Sequence, residues 1–106
     1  QHGLTNAVFM PYVLKKNKPE IEDKIIALTR YLNLEHNSFE GFMDWILFLR
    51  KELSIPHTLK ELIDDNSKFD EMSKMAFNDP STGGNPTKLS SGDFLELYKN
   101  SFEGIL

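Results

Sequence analysis

Three histidines, His2, His36 and His57, are the side chains of this 106-residue chain that ionise nearest neutral pH. They are therefore the first candidates to hold a metal or carry a proton. Their spacing does not define a site by itself. No two of them sit four residues apart on one helix, and the His-Glu-x-x-His pattern of zinc hydrolases is absent. Taken singly, such a histidine is more often a surface or capping residue than a ligand. His36 lies in the polar stretch Glu35-His36-Asn37 and is expected to be solvated, and His57, between Pro56 and a helix start, is expected to support that turn. The neighbouring acids Asp64 and Asp65 could act as general acid and base. Adjacent side chains on a helix point apart, however, so a solvated helix end is the plainer expectation. Gly83-Gly84 lacks the Gly-Lys-Ser/Thr ending of a phosphate-binding loop. No cysteine occurs, which removes disulfides, thiolate metal sites and thiol nucleophiles.

The elements that must position these residues read as helices. Leu occurs 14 times and Val twice, and no segment alternates apolar and polar residues with period two. A first helix is predicted over 2–16, apolar on most of its surface through Leu4, Ala7, Val8, Phe9, Met10, Tyr12, Val13 and Leu14, with a kink expected at Pro11. A second starts near Pro19 and carries Ile21, Ile25, Leu28 and Leu32, ending near Asn33. The third has a capping box in Asn37 and Glu40, with Ser38 competing as the cap. Its stripe of Phe39, Phe42, Met43, Ile46, Leu49 and Leu53, widened by Trp45, Leu47 and Phe48, marks it as the central helix. Asp44 lies beside Trp45, either buried with a partner or on the outer face.

Three further helices are expected. Thr58 with Glu61 opens a short one carrying Leu59, Leu62 and Ile63; Ser67 with Asp70 opens another, on which Met72 and Met75 read as core; Ser90 with Asp93 caps the last. The longest loop, 78–89, holds Asp79-Pro80 and Thr82-Gly83-Gly84-Asn85-Pro86. The fold class is all-α, a bundle of about six helices in one domain.

Charge and hydropathy narrow the partners. Sixteen acids against twelve Lys and Arg give a net charge of −4, which argues against broad nucleic-acid or anionic-lipid binding. No run reaches the ~20 apolar residues of a membrane span. The first residues lack a basic stretch followed by an apolar one, and the missing cysteines fit a reducing compartment, so a cytoplasmic location is expected.

The opening His2-Gly3-Leu4-Thr5-Asn6-Ala7, continued by Met10-Pro11-Tyr12-Val13, resembles the iron-containing (group III) alcohol dehydrogenases. In that family a His-Gly-x-x-Asn-Ala-x-x-x-Pro stretch begins a helix of the C-terminal helical domain. Ser54-Ile55-Pro56 falls where the family often has Gly-Ile-Pro, and Thr82-Gly83-Gly84-Asn85-Pro86 with a capped final helix is the third match, in family order. Two departures are Gln1, where relatives commonly have Pro, and Ser54, where they frequently have Gly.

The resemblance implies residues 1–106 as the C-terminal helical, metal-side domain of a dehydroquinate synthase-like fold, without its N-terminal dinucleotide-binding domain. It implies hydride transfer between NAD(P) and an alcohol or aldehyde, with Fe²⁺ or Zn²⁺ held by one Asp and three His, of which His2 matches the last. It places Ser81 at a position that lines the substrate channel in some relatives, and makes Asn6 structural. On this reading the chain alone is inactive, holds neither metal nor NAD(P) tightly, takes the missing nucleotide-binding domain as its partner, and self-associates. The alternative is a stand-alone helical protein-interaction module without catalysis, in which His2 is an ordinary capping residue. Another is a metal-free relative, against which the retained His2 leans.

Overall fold

The computed structural model describes residues 2–62, 69–78 and 84–106, the side chains of residues 2, 3, 5 and 6 excepted. Within them lie five α-helices and one 3-10 turn: α1 His2–Lys16, α2 Lys18–Tyr31, α3 Phe39–Glu52, the turn Leu59–Glu61, α4 Phe69–Asn78 and α5 Ser91–Glu103. The all-α class holds, and no strand is present among the described residues. Of the expected fourth helix, the described residues hold the single 3-10 turn Leu59–Glu61. The Glu61 carboxylate still reaches back to the Thr58 N–H at 3.4 Å. Ile63, Asp64, Asp65 and Ser67 lie outside the described residues.

The caps follow the physical rule that a side-chain oxygen must satisfy an orphan N–H of the first turn. Ser38, not Asn37, does this for α3, accepting from the Gly41 N–H at 2.9 Å. The reason is position: Ser38 is the extended residue immediately before the first helical one. Ser90 and Asp93 form the full reciprocal box on α5, at 3.1 and 2.8 Å. Gly104 ends α5 in the left-handed conformation, φ 79°, its N–H on the Asn100 carbonyl.

The centre of the molecule is α1 rather than α3. Helix α1 touches α2, α3, α5 and the 3-10 turn, and α4 packs along α5. Val8 of α1, Leu59 of the turn, Phe69 of α4 and Phe102 of α5 form one buried cluster. Tyr12, Leu89 and Leu97 form a second. Tyr98 stacks on Phe9 and Phe69, with ring centres 5.2 and 5.6 Å apart, and Phe69 meets Phe102 edge-on at 5.5 Å. Aromatic pairs in these geometries contribute beyond the area they bury.

Helix α3 is displaced from the centre because its stripe is only partly covered. Phe39, Phe42 and Met43 are buried, whereas Phe48 and Leu53 are exposed. On α2 only Thr29 is buried, and Leu28, Tyr31 and Leu32 face solvent. The α2–α3 pair therefore leans on α1 from one side. The radius of gyration, 14.4 Å, exceeds the about 13 Å expected of a compact chain of this length. On α4, Met72 joins the core but Met75 is 68% exposed, a correction to its core assignment: α4 offers only one face to α5. Asp44 is exposed and lies on the outer face.

Candidate functional site

Helix α1 carries the residue with the strongest claim to chemistry at its first position, His2. The His2 side chain and the whole of Ser81 lie outside the described residues. The backbone that would aim His2 is described. Helix α1 runs unbroken through Pro11, which has no N–H to give the carbonyl four residues back, that of Ala7. One residue later the Val8 carbonyl receives a donor from outside the helix: Arg50 Nη2, from α3, at 3.3 Å. The same nitrogen donates to the carbonyls of Pro56, at 2.9 Å, and His57, at 3.2 Å. Arg50 thus ties the first half of α1 to α3 and to the 55–58 connection.

Arg50 is 4% exposed, and its Nε has no hydrogen-bond partner. Burial holds its pKa below the ordinary guanidinium value, with nearby Tyr12 acting in the opposite sense. Tyr12 is itself buried and donates its hydroxyl to the His57 carbonyl at 2.6 Å. Burial raises the Tyr12 phenol above its ordinary value, and the Arg50 charge opposes that rise. The His57 ring lies against Tyr12, ring centres 5.9 Å apart, with Nε2 3.4 Å from the hydroxyl. His57 therefore supports its turn mainly through its carbonyl, which accepts from both Tyr12 and Arg50. His36 is exposed, beside Glu35.

The loop with Gly84-Asn85-Pro86 is fixed elsewhere. Asn17, buried at the junction of α1 and α2, exchanges two amide hydrogen bonds with Asn85, at 2.9 and 2.8 Å. Asn85 also donates to the Thr87 carbonyl. Lys16 adds ion pairs to Asp93 and Glu96 at 3.2 and 2.9 Å. Fifteen residues separate His2 from Asn17 along one helix, roughly 22 Å at the α-helical rise. The anchored end of this loop and His2 thus sit at opposite ends of α1.

Among the described residues no group of three or more His, Cys, Asp or Glu could hold a metal ion. A catalytic zinc site uses three protein ligands. The described donors do not fit a self-contained metal site.

The model of the Fe-containing alcohol dehydrogenase family, C-terminal region, matches residues 1–102. The chain belongs to that family. A solved iron-containing alcohol dehydrogenase from Thermococcus thioreducens superposes on 98% of this chain, with a TM-score of 0.88 and 28% identity. The chain covers 28% of that protein. An alcohol dehydrogenase of Thermococcus barophilus is 37% identical over 95% of this chain, which spans 27% of it. An NADPH-dependent butanol dehydrogenase of Clostridium saccharobutylicum is 31% identical over 97% of this chain, which spans 29% of it. This segment of the family fold thus spans less than a third of the relatives it matches.

Two residues that organise the family segment escaped sequence reasoning, Arg50 and Asn17. Arg50 carried a signal. It falls in phase with Phe39, Phe42, Met43 and Ile46, so a charge sits on the buried stripe of α3. Asn17, between Lys16 and Lys18, carried none, because its partner lies 68 residues away.

Proposed function

We propose that this chain is the C-terminal helical domain of a cytoplasmic, metal-dependent, NAD(P)-linked alcohol dehydrogenase that interconverts an alcohol and an aldehyde or ketone. The observation that carries the reading is the superposition on an iron-containing alcohol dehydrogenase over 98% of this chain and 28% of that one. In the intact enzyme the dinucleotide-binding domain and the other metal ligands come from outside these 106 residues, and His2 is one ligand of Fe²⁺ or Zn²⁺. The bound metal supplies polarisation of the substrate oxygen.

What this chain contributes is placement. A ligand at the first residue of a helix inherits the helix's direction. Arg50 fixes that direction by joining the Val8 carbonyl to α3 and the 55–58 connection. Asn85 is anchored at the end of α1 remote from His2. Leu28, Tyr31, Leu32, Phe48 and Leu53 leave apolar surface open on α2 and α3, so the isolated chain should self-associate. A clean monomer in light scattering at high concentration would contradict that.

The 106-residue chain, given NAD(P), an alcohol and Fe²⁺ or Zn²⁺, should show no turnover and bind no stoichiometric metal. Turnover, or one tightly bound metal per chain, would overturn this assignment of roles. The coding sequence upstream of Gln1 tests the larger claim. It should encode a Gly-rich nucleotide site and an Asp-x-x-x-His pair, and a complete gene without them would favour the interaction module.

A further inference from the structure

Arg50 is more than a clamp. Among the described residues its hydrogen bonds to the carbonyl oxygens of Val8, Pro56 and His57 all leave through Nη2. Among the described residues no carboxylate pairs with it. A guanidinium 4% exposed is thereby left without a counter-charge, and its Nε has no acceptor. Burial of a charge is costly unless it is paired, so such an arrangement is unusual for a group that serves structure alone.

The same side chain forms part of the wall of a cavity of about 280 Å³ lined by Leu47, Arg50, Lys51, Ile55 and His57. Two of these five residues carry fixed positive charge, a third is an imidazole, and none is acidic. In a chain of net charge −4 this is a local inversion of sign. Leu47 and Ile55 make the remaining wall aliphatic. The cavity is open to solvent on one side and accommodates a group of a few heavy atoms.

We infer that this cavity binds a carboxylate carried on a short aliphatic stem, with Arg50 and Lys51 supplying the counter-charge and Leu47 and Ile55 the contact for the stem. A carboxylate suits the site because it brings a negative charge to the Lys51 ammonium and to the Arg50 guanidinium, whose Nη1 is left free of the three carbonyl bonds made by Nη2. The stem distinguishes it from inorganic anions, which gain nothing from the aliphatic wall. The group comes either from a free short-chain acid or from an Asp or Glu side chain of another polypeptide segment. This inference does not depend on His2 or on the metal.

The chain has two arginines, which makes the test direct. In a proton–nitrogen NMR spectrum of the arginine Nε–H groups, Arg50 should report the cavity, and exposed Arg30 serves as the internal control. Sodium butyrate and a blocked peptide with a single Glu are titrated separately, with sodium chloride and butylammonium chloride as controls at matched ionic strength. A saturable shift of Arg50 with Arg30 unmoved, and a dissociation constant on the order of 1 mM, is the expected result. Butyrate alone acting identifies a free-acid site, and the peptide binding tighter identifies a docked side chain. Lys51→Gln should weaken binding by about 3- to 10-fold, and the backbone amides of Lys51 and His57 provide a second readout. The inference is overturned if neither carboxylate moves Arg50 selectively at roughly 100 mM, or if chloride or butylammonium does so equally.

Discussion

Asn17 and Asn85 should behave as a single energetic unit. Their side-chain amides face each other across two hydrogen bonds of 2.9 and 2.8 Å, and Asn17 is 4% exposed. Asn17→Ala removes both bonds and leaves the partly buried Asn85 amide with its bond to the Thr87 carbonyl. Each bond contributes about 1 kcal/mol net, and a stranded buried polar group costs about 1–3 kcal/mol, so the single substitution should cost about 2–3 kcal/mol. Asn85→Ala should cost a similar amount or slightly more, since it also removes the bond to the Thr87 carbonyl. Once one partner is gone, the two bonds between them cannot be lost a second time. The double substitution should therefore cost about 1–2 kcal/mol less than the sum of the singles. Urea unfolding followed by helical circular dichroism measures this, with Trp45 fluorescence as a second probe on α3. With a slope of about 1.5 kcal/mol per molar urea, a 2 kcal/mol loss moves the midpoint by about 1.3 M. Additivity within about 0.3 kcal/mol would refute the idea that this amide pair anchors the loop to α1.

Ser54 adopts φ 59° immediately after α3, the left-handed region that glycine enters without steric cost. Ser54→Gly should accordingly raise the urea midpoint, by about 0.5–1 kcal/mol of stability, and a lowered midpoint would contradict the backbone argument. Gly41→Ala should do the opposite, although alanine is the better helix former. Its Cβ would sit 2.5 Å from the His36 carbonyl oxygen and 2.8 Å from the His36 Cβ. We expect a loss of about 1–3 kcal/mol in thermal or urea melts, the range typical of overpacking. The Asp93 carboxyl is held below its ordinary pKa, chiefly by the Ser90 backbone N–H, with Lys16 helping and partial desolvation opposing. A depressed folded value means that its stabilisation is fully present above the unfolded pKa, about 3.9, and is lost as pH falls through the folded value. Melting temperatures of Asp93→Asn should therefore fall less steeply than the parent's below about pH 4, and parallel acid limbs would count against the capping box.

Helix existence was legible from local chemistry. The start of α1, the Pro near the start of α2, the Ser90–Asp93 box and the four-residue spacing of leucines and aromatics each act within a turn or two of chain. The start of α3 was legible only to within one residue. Asn37 and Ser38 are both good caps, and the choice depends on which of them is extended when Gly41 closes against it. Short-range rules misplaced the centre of the fold. The broad apolar face of α3 suggested a central helix, yet Phe48 and Leu53 face solvent, while the Pro-containing α1, apolar on most of its surface, is the helix that touches α2, α3, α5 and the 3-10 turn. Periodicity shows that a face is apolar; it does not show which other face will be near enough to cover it.

The candidate site divides in the same way. His2, Asn85 and the Gly-Gly turn stand out by residue type and motif, because their chemistry is intrinsic to the side chain or the dihedral angle. The significance of Arg50, Tyr12 and Asn17 is relational. Arg50 matters because folding brings the Val8 carbonyl, 42 residues earlier, to its guanidinium, with no carboxylate paired to it among the described residues. Asn17 matters because the α1–α2 junction meets a loop 68 residues on. The sequence by itself determined that the chain is helical, where most helices begin, and which motif opens α1. The tertiary structure alone decided that α1 lies at the centre, that Asn85 is tied to the end of α1 remote from His2, and that a buried cation borders a cavity lined by Leu47, Arg50, Lys51, Ile55 and His57. Local propensities act over a few residues of chain, whereas burial and charge pairing depend on distances in space that only the packed helices set.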